Sequence, residues 1–170
     1  EEKINQFMAD YLNEPNMKAT NYSRPEPIFD HYNIEMEINR ALAKRVWLKS
    51  GGYIVVDEAE ALVCIDVNTG SYVGSRNFEE TILRTNLEAA REIAYQLRLR
   101  NLGGIIIIDF IDMENTENRK KVVEELEAAL KKDKAKSTIH AISNLGLVEM
   151  TRHRSRESLP RSLSEPCHYC

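Results

Sequence analysis

Two apolar runs, each closed by an aspartate and separated by a long amphipathic stretch, constrain this chain more than any other feature. In "ALVCIDVNTG" (residues 61–70), strand-forming residues run directly into Asp66, followed by Asn68 and a Thr-Gly turn. In "GGIIIIDFID" (residues 103–112), the isoleucines Ile105 to Ile108 run into Asp109. Between them, from Phe78 to Arg100, Ile82, Asn86, Ala89, Ala90, Ile93, Ala94 and Leu97 recur at helical spacing, with Glu and Arg on the other positions, until "NLGG" stops the helix. A strand–helix–strand unit calls for parallel strands and a right-handed crossover. Parallel neighbours end on the same sheet edge, where open α/β sheets place their sites. Asp66 and Asp109 are therefore expected to face each other there. Asn68, two residues beyond Asp66, is expected on the same face.

The flanking sequence extends this unit into an α/β fold, a mixed sheet with parallel strand–helix–strand units. Ile34, Ile38 and Leu42 give a short helix over residues 33–43. Val46–Leu48 and Tyr53–Val56 flank "KSGG", a hairpin signal, and "DEAE" then turns the chain into the strand that ends at Asp66. Downstream, "MENTENRKKVVEELEAALKKD" is a second amphipathic helix with Val122, Val123, Leu126, Ala129 and Leu130 inward, and "KSTIHAIS" and "GLVEMTRHR" are two further strands. The isoleucine run reads as a strand covered on both faces, and Cys64 as a small buried hydrophobe. Arg84, Arg91, Arg98 and Arg100 read as surface partners of Glu88 and Glu92. Residues 1–30, with Pro15, Pro25 and Pro27 among polar residues, hold little core of their own.

Two carboxylates brought together repel unless one is protonated or a cation bridges them. A hard divalent ion such as Mg²⁺ takes oxygen ligands, keeps several waters and suits phosphoryl chemistry. Asn68 is uncharged and would serve by hydrogen bonding to Asp66 or to a phosphate. The pattern also admits plainer readings. An Asp after a strand is often a turn former or cap, as at Asp112, and a carboxylate pair can serve a glycosidase. Aromatic residues, 7% of the chain, do not cluster around these aspartates, which disfavours a sugar site.

The net charge of −4 does not advertise a nucleic-acid binder, but it can conceal a local basic face. "TRHRSRESLPR" offers Arg152, Arg154, Arg156 and Arg161 with His153. This is either a set of phosphate contacts or a solvated strand and loop. The C-x-x-C of Cys167 and Cys170 supplies half of a tetrahedral Zn²⁺ site that a second chain could complete; a redox pair or two idle thiols are the alternatives. An odd cysteine count of three fits a reducing, cytoplasmic setting, and no apolar run is long enough to span a bilayer. The chain starts without Met and stops inside a motif, so it reads as part of a longer one.

The stretches "IDVNTGSYVGSRNFEETILRTNLEAAREIAYQLRLRNLGGIIIIDFIDM", "LGLVEMTRHRSRESL" and "CHYC" resemble the catalytic region of the ribonuclease E/G family, nearer its ribonuclease G branch. The likeness runs from about Pro27 to Cys170. It implies that residues 1–42 are the tail of an RNase H-like subdomain with a linker, 43–163 a deoxyribonuclease I-like catalytic subdomain, and 164–170 a partial zinc link. It implies Mg²⁺ ligands at Asp66 and Asp109 with support from Asn68. It also implies a Zn²⁺ shared between chains through Cys167 and Cys170, although His168 stands where the family pattern has proline. The implied activity is endonucleolytic cleavage of single-stranded RNA, in rRNA and mRNA processing and decay, leaving 5′-phosphate and 3′-hydroxyl ends. The implied setting is a cytoplasmic homodimer or higher homo-oligomer. The family's S1 RNA-binding domain and 5′-end sensor would precede residue 1, so the isolated chain is expected to act weakly or not at all. A module for dimerisation and assembly in an RNA-degrading complex is the alternative from another class, and a DNA-directed nuclease a third.

Overall fold

Alternating apolar residues build a six-stranded sheet, and two amphipathic helices cover one of its faces. The computed structural model describes residues 2–11, 19–70, 78–143, 146–165, 167 and 169. In chain order the elements are α1 (Glu2–Tyr11), α2 (Ile28–His31), α3 (Ile34–Leu42), β1 (Arg45–Trp47), β2 (Tyr53–Glu58), β3 (Leu62–Asn68), α4 (Phe78–Leu99), β4 (Gly104–Asp109), α5 (Thr116–Leu130), β5 (Ser137–Ile142), β6 (Val148–Arg152) and α6 (Leu159–Leu163). The chain divides into two compact units, Glu1–Ile38 and Asn39–Cys170. The division falls four residues before the 42/43 boundary read from the sequence.

The first unit has little apolar burial, as its composition implied. Helix α1 buries no residue. Polar clamps hold the unit: the Asn5 side chain accepts from the Ala19 N–H (2.7 Å) and donates to the Ala19 carbonyl (3.3 Å). Tyr22 donates to the Glu26 carbonyl (2.6 Å), and its ring lies 5.8 Å from that of His31.

In the second unit the strand order is β1-β2-β3-β4-β6-β5. Strands β3 and β4 are parallel and the remaining pairs antiparallel, so β5 also runs parallel to β4 with β6 between them. The units β3–α4–β4 and β4–α5–β5 therefore step across the sheet in the same direction. Two right-handed crossovers stepping the same way put both helices on one face. That face holds the core. Ile54, Val56, Val63, Ile65, Val67, Ile106, Ile108, Val148 and Met150 of the sheet cluster with Ile82, Ile93 and Leu97 of α4 and Val122, Leu126 and Leu130 of α5. Ala89, Ala90 and Ala94 complete the α4 stripe, and all three are buried.

Among the described residues of this unit, no helix covers the opposite face, which corrects two expectations. Ile105 is 52% exposed and Ile107 only half-buried, so the isoleucine strand is covered on one side rather than both. Cys64 lies on the uncovered face and is exposed rather than buried. The arginine assignments on α4 also change. Arg91 pairs with Glu125 of α5 (3.1 Å), while the Glu88 carboxylate accepts the backbone N–H groups of Lys49 and Ser50 (2.6 and 2.9 Å) and so holds the β1–β2 turn. Arg100 is 2% exposed and donates from Nε to Gln96 Oε1 (2.7 Å). No helix among the described residues is long and apolar enough to cross a membrane.

Candidate metal centre

The alternation of β3 decides which side chains reach the uncovered face. Val63, Ile65 and Val67 are buried under the helices, so Leu62, Cys64, Asp66 and Asn68 point the other way. On β4, Ile106 and Ile108 are buried, so Ile105, Ile107 and Asp109 share that outer face. The parallel register pairs Asp66 directly with Asp109. The two aspartates thus sit one strand spacing apart, about 4.8 Å, at the carboxyl edge, as the sequence predicted. Asn68 lies on the same face, and its Nδ2 donates to Asp66 Oδ2 (2.7 Å).

Electrostatics oppose ionisation of Asp109. Partial burial pushes the Asp109 carboxyl above the ordinary carboxylate range, and the negative charges of Asp66 and Asp112 push it further. A site that disfavours a second negative charge is one that a cation relieves. Among the described residues, no group of three or more His, Cys, Asp or Glu side chains is placed to hold a metal. Residues 71–77, which follow Gly70, lie outside the described residues.

Backbone geometry fixes the exit of β3. A side chain at Gly52 would bring its Cβ to 2.5 Å from the Asn68 carbonyl oxygen and 2.9 Å from Thr85 Cγ2. The β1–β2 turn can therefore lie against Asn68 only because residue 52 lacks a side chain. Gly70 turns the chain away at φ +66°, a conformation that favours glycine.

Beyond β4, a side chain that sequence reasoning assigned only to the core does positional work. Asn86 is fully buried in α4; its Nδ2 donates to the Ile111 carbonyl (2.8 Å) and its Oδ1 accepts the Ile111 N–H (3.1 Å). Ile111 lies between Asp109 and Asp112, so this amide sets where both carboxylates stand. Arg119 adds a bond from Nε to the Met113 carbonyl (2.7 Å), and Glu79 accepts the Asn115 N–H (3.1 Å). The signal was an amide inside an apolar stripe: a buried amide needs polar partners, and here they are backbone.

The basic stretch is not brought to the carboxylates. Arg152 pairs with Gly104 at the start of β4, the opposite end of the strand from Asp109. Its side chain is 3% exposed; Nε donates to Asp133 Oδ2 (2.7 Å) and Nη1 to the Leu102 carbonyl (2.7 Å). The expected RNA contact at Arg152 is corrected accordingly: its guanidinium is a buried structural cation. Arg161 pairs with Glu58 (3.1 Å), and the exposed Arg154 donates to the Gly103 carbonyl (2.8 Å). Arg156 is exposed. Cys167 is exposed, and Cys170 and His168 lie outside the described residues.

Comparison with known proteins identifies the family of the chain as a whole. Residues 1–155 match the Ribonuclease E/G family. The chain is 53% identical over 169 residues to a protein named Ribonuclease G from Salmonella typhimurium (strain SL1344), and 51% identical over 169 residues to Ribonuclease G of Escherichia coli (strain K12). In both cases 99% of this chain is covered, and the chain spans 35% of the relative's length. It is 47% identical over 143 residues to Ribonuclease E of Synechocystis sp. (strain ATCC 27184 / PCC 6803 / Kazusa), covering 84% of this chain and 21% of that protein. On the match over most of its length, the chain belongs to the Ribonuclease E/G family.

Proposed function

We propose that this chain carries the catalytic centre of an endoribonuclease that cleaves single-stranded RNA with Mg²⁺ held by Asp66 and Asp109. The observation that carries the reading is the register of the two aspartates: paired on parallel neighbours, on the uncovered face, at the edge where open α/β sheets bind ligands. The relatives are named for RNA cleavage, and they share 51–53% identity with the chain across a third of their length.

The donor set suits a hard cation. Two exposed carboxylates offer oxygen ligands and leave room for waters, which Mg²⁺ keeps more readily than it takes a full protein cage. Bound there, the ion would polarise a phosphate oxygen and lower the pKa of a water. The chain's own residues do the rest. The Asn68 amide holds the Asp66 carboxylate in one orientation. Partial burial and the charges of Asp66 and Asp112 oppose ionisation of Asp109, and a cation shared with Asp66 would ease the loss of its proton. Attack of water on phosphorus with departure of the 3′ oxygen leaves 5′-phosphate and 3′-hydroxyl ends.

We assign residues 43–163 to the deoxyribonuclease I-like catalytic subdomain and 1–42 to the tail of an RNase H-like one. Arg154 and Arg156 are candidates for phosphate contacts remote from the metal site. Cys167 and Cys170 would supply half of a Zn²⁺ site completed by a second chain. Zinc analysis with sedimentation of the wild-type chain and Cys167→Ser tests that link; equal mass and zinc content in both would refute it.

The decisive assay for the catalytic reading is RNA cleavage by the complete protein that carries this chain. Asp66→Asn and Asp109→Asn should each abolish Mg²⁺-dependent cutting with circular dichroism unchanged, and Asn68→Ala should slow it about 10–100-fold. Normal cutting by either Asp variant would overturn the reading.

A further inference from the structure

We propose that Arg45, Trp47 and Tyr53 form a stacking platform that grips a base of the single-stranded RNA beside the carboxylate pair. The inference rests on the catalytic reading above and adds how the substrate is held. Register places the groups. Arg45, Val55, Asp66 and Asp109 are successive partners across β1, β2, β3 and β4, so they form one row on the uncovered face. Trp47, Tyr53 and Asn68 form the next row. At about 4.8 Å per strand, Tyr53 stands one strand from Asn68 and Trp47 two. Both are within reach of a nucleotide whose neighbouring phosphate lies against Asp66 and Asp109.

The chemistry of the three side chains points to a nucleobase. Trp47 is 65% exposed, so its indole gains little from folding. Its ring meets that of Tyr53 at 5.3 Å between centroids and 63° between planes, which leaves indole surface open to a further plane. The Arg45 guanidinium lies 4.5 Å from the Tyr53 centroid and 5.8 Å from that of Trp47, a cation held on the rings next to where a phosphodiester would pass. Aromatic planes stack on any base, and a guanidinium answers the backbone charge. This is how sequence-tolerant binding to single strands is built. A duplex keeps its base faces stacked and could not use the platform.

Trp47 is the sole tryptophan of the chain, so its fluorescence reports the platform directly. The 170-residue chain with Asp66→Asn, which cannot confuse binding with cleavage, is titrated in EDTA with an oligoadenylate and with an abasic oligomer of equal length. We expect saturable quenching by oligoadenylate, and affinity for the abasic oligomer weaker by roughly ten-fold, the usual scale for one stacked base. Tyr53→Ala should lose a similar factor. Trp47→Ala, followed by anisotropy of a labelled oligomer, should do the same with circular dichroism unchanged. Equal binding of both oligomers, or no quenching at saturation, overturns the platform. These outcomes are independent of the catalytic reading: loss of cutting in the Asp variants with no Trp47 response rejects the platform alone, and quenching with undiminished cutting in those variants rejects the metal site alone.

Discussion

The buried pair of Arg152 and Asp133 gives the sharpest test of the fold. Both side chains are nearly solvent-free, at 3% and 6% exposure, and the bond between them is 2.7 Å. Asp133→Ala would leave a buried guanidinium that, among the described residues, has only the Leu102 carbonyl and a long contact to Asn101 Oδ1 (3.5 Å) to receive it. Stranding one member of such a pair costs about 3–5 kcal/mol, a large part of the stability of a single domain. With a urea slope of about 2 kcal/mol per molar, the unfolding midpoint should fall by about 2 M. Replacing the whole pair by Asp133→Leu with Arg152→Met should restore most of the loss, less the bond that the Ala135 N–H donates to Asp133.

The pH dependence has a definite sign. Burial opposes ionisation of Asp133, but the hydrogen bonds from Arg152 and the Ala135 N–H and the nearby positive charge outweigh it and hold the carboxyl below its usual range. A depressed folded pKa means stability that is complete above the unfolded value near 3.9 and is lost as pH falls through the folded one. The wild-type midpoint should therefore drop more steeply below about pH 4 than that of the double variant. A shift under about 0.3 M for Asp133→Ala, where about 2 M follows from the buried pair, would refute the reasoning. So would a marked loss of RNA binding in the stable double variant, since it would return Arg152 to the substrate path.

Two further expectations follow from the same packing. Asn86→Ala leaves the Ile111 amide groups without their partner; it should cost roughly 1–3 kcal/mol by urea unfolding and slow RNA cleavage by the complete protein, because Asp109 and Asp112 lose their brace. Ile106→Ala should cost about 2–5 kcal/mol because Ile106 is fully buried, whereas Ile105→Ala on the uncovered face should cost under about 1 kcal/mol; equal losses would mean that the sheet is covered on both sides.

The sequence made the site's skeleton legible because its determinants are local. The period of the Phe78–Arg100 helix, the β-branched run and the Asp at the end of each strand all lie within a strand–helix–strand unit whose handedness is constrained. Register followed from parallel pairing. What escaped the sequence depends on partners distant in the chain or on which face the helices choose. Four consecutive isoleucines satisfy strand geometry whether or not both faces are covered. The one-sided cover comes from two crossovers that step the same way, which requires knowing that β6 inserts between β4 and β5. Arg152 read as a phosphate ligand because its neutraliser, Asp133, sits beyond the end of α5. Asn86 was read correctly as inward, but its partner at Ile111 is visible only once α4 packs over the end of β4.

The central claim is that Asp66 and Asp109 jointly hold one hard divalent cation. Electron paramagnetic resonance titration with Mn²⁺ as the visible substitute for Mg²⁺ measures this directly on the wild-type chain, on each Asp→Asn variant and on the double variant. The account predicts one site per chain at Asp66 and Asp109 that Mg²⁺ competes for. That site should be lost to a similar degree in either single variant and in the double, because two ligands of one ion fail together. Mn²⁺ binding that persists unchanged in Asp66→Asn or Asp109→Asn would contradict it.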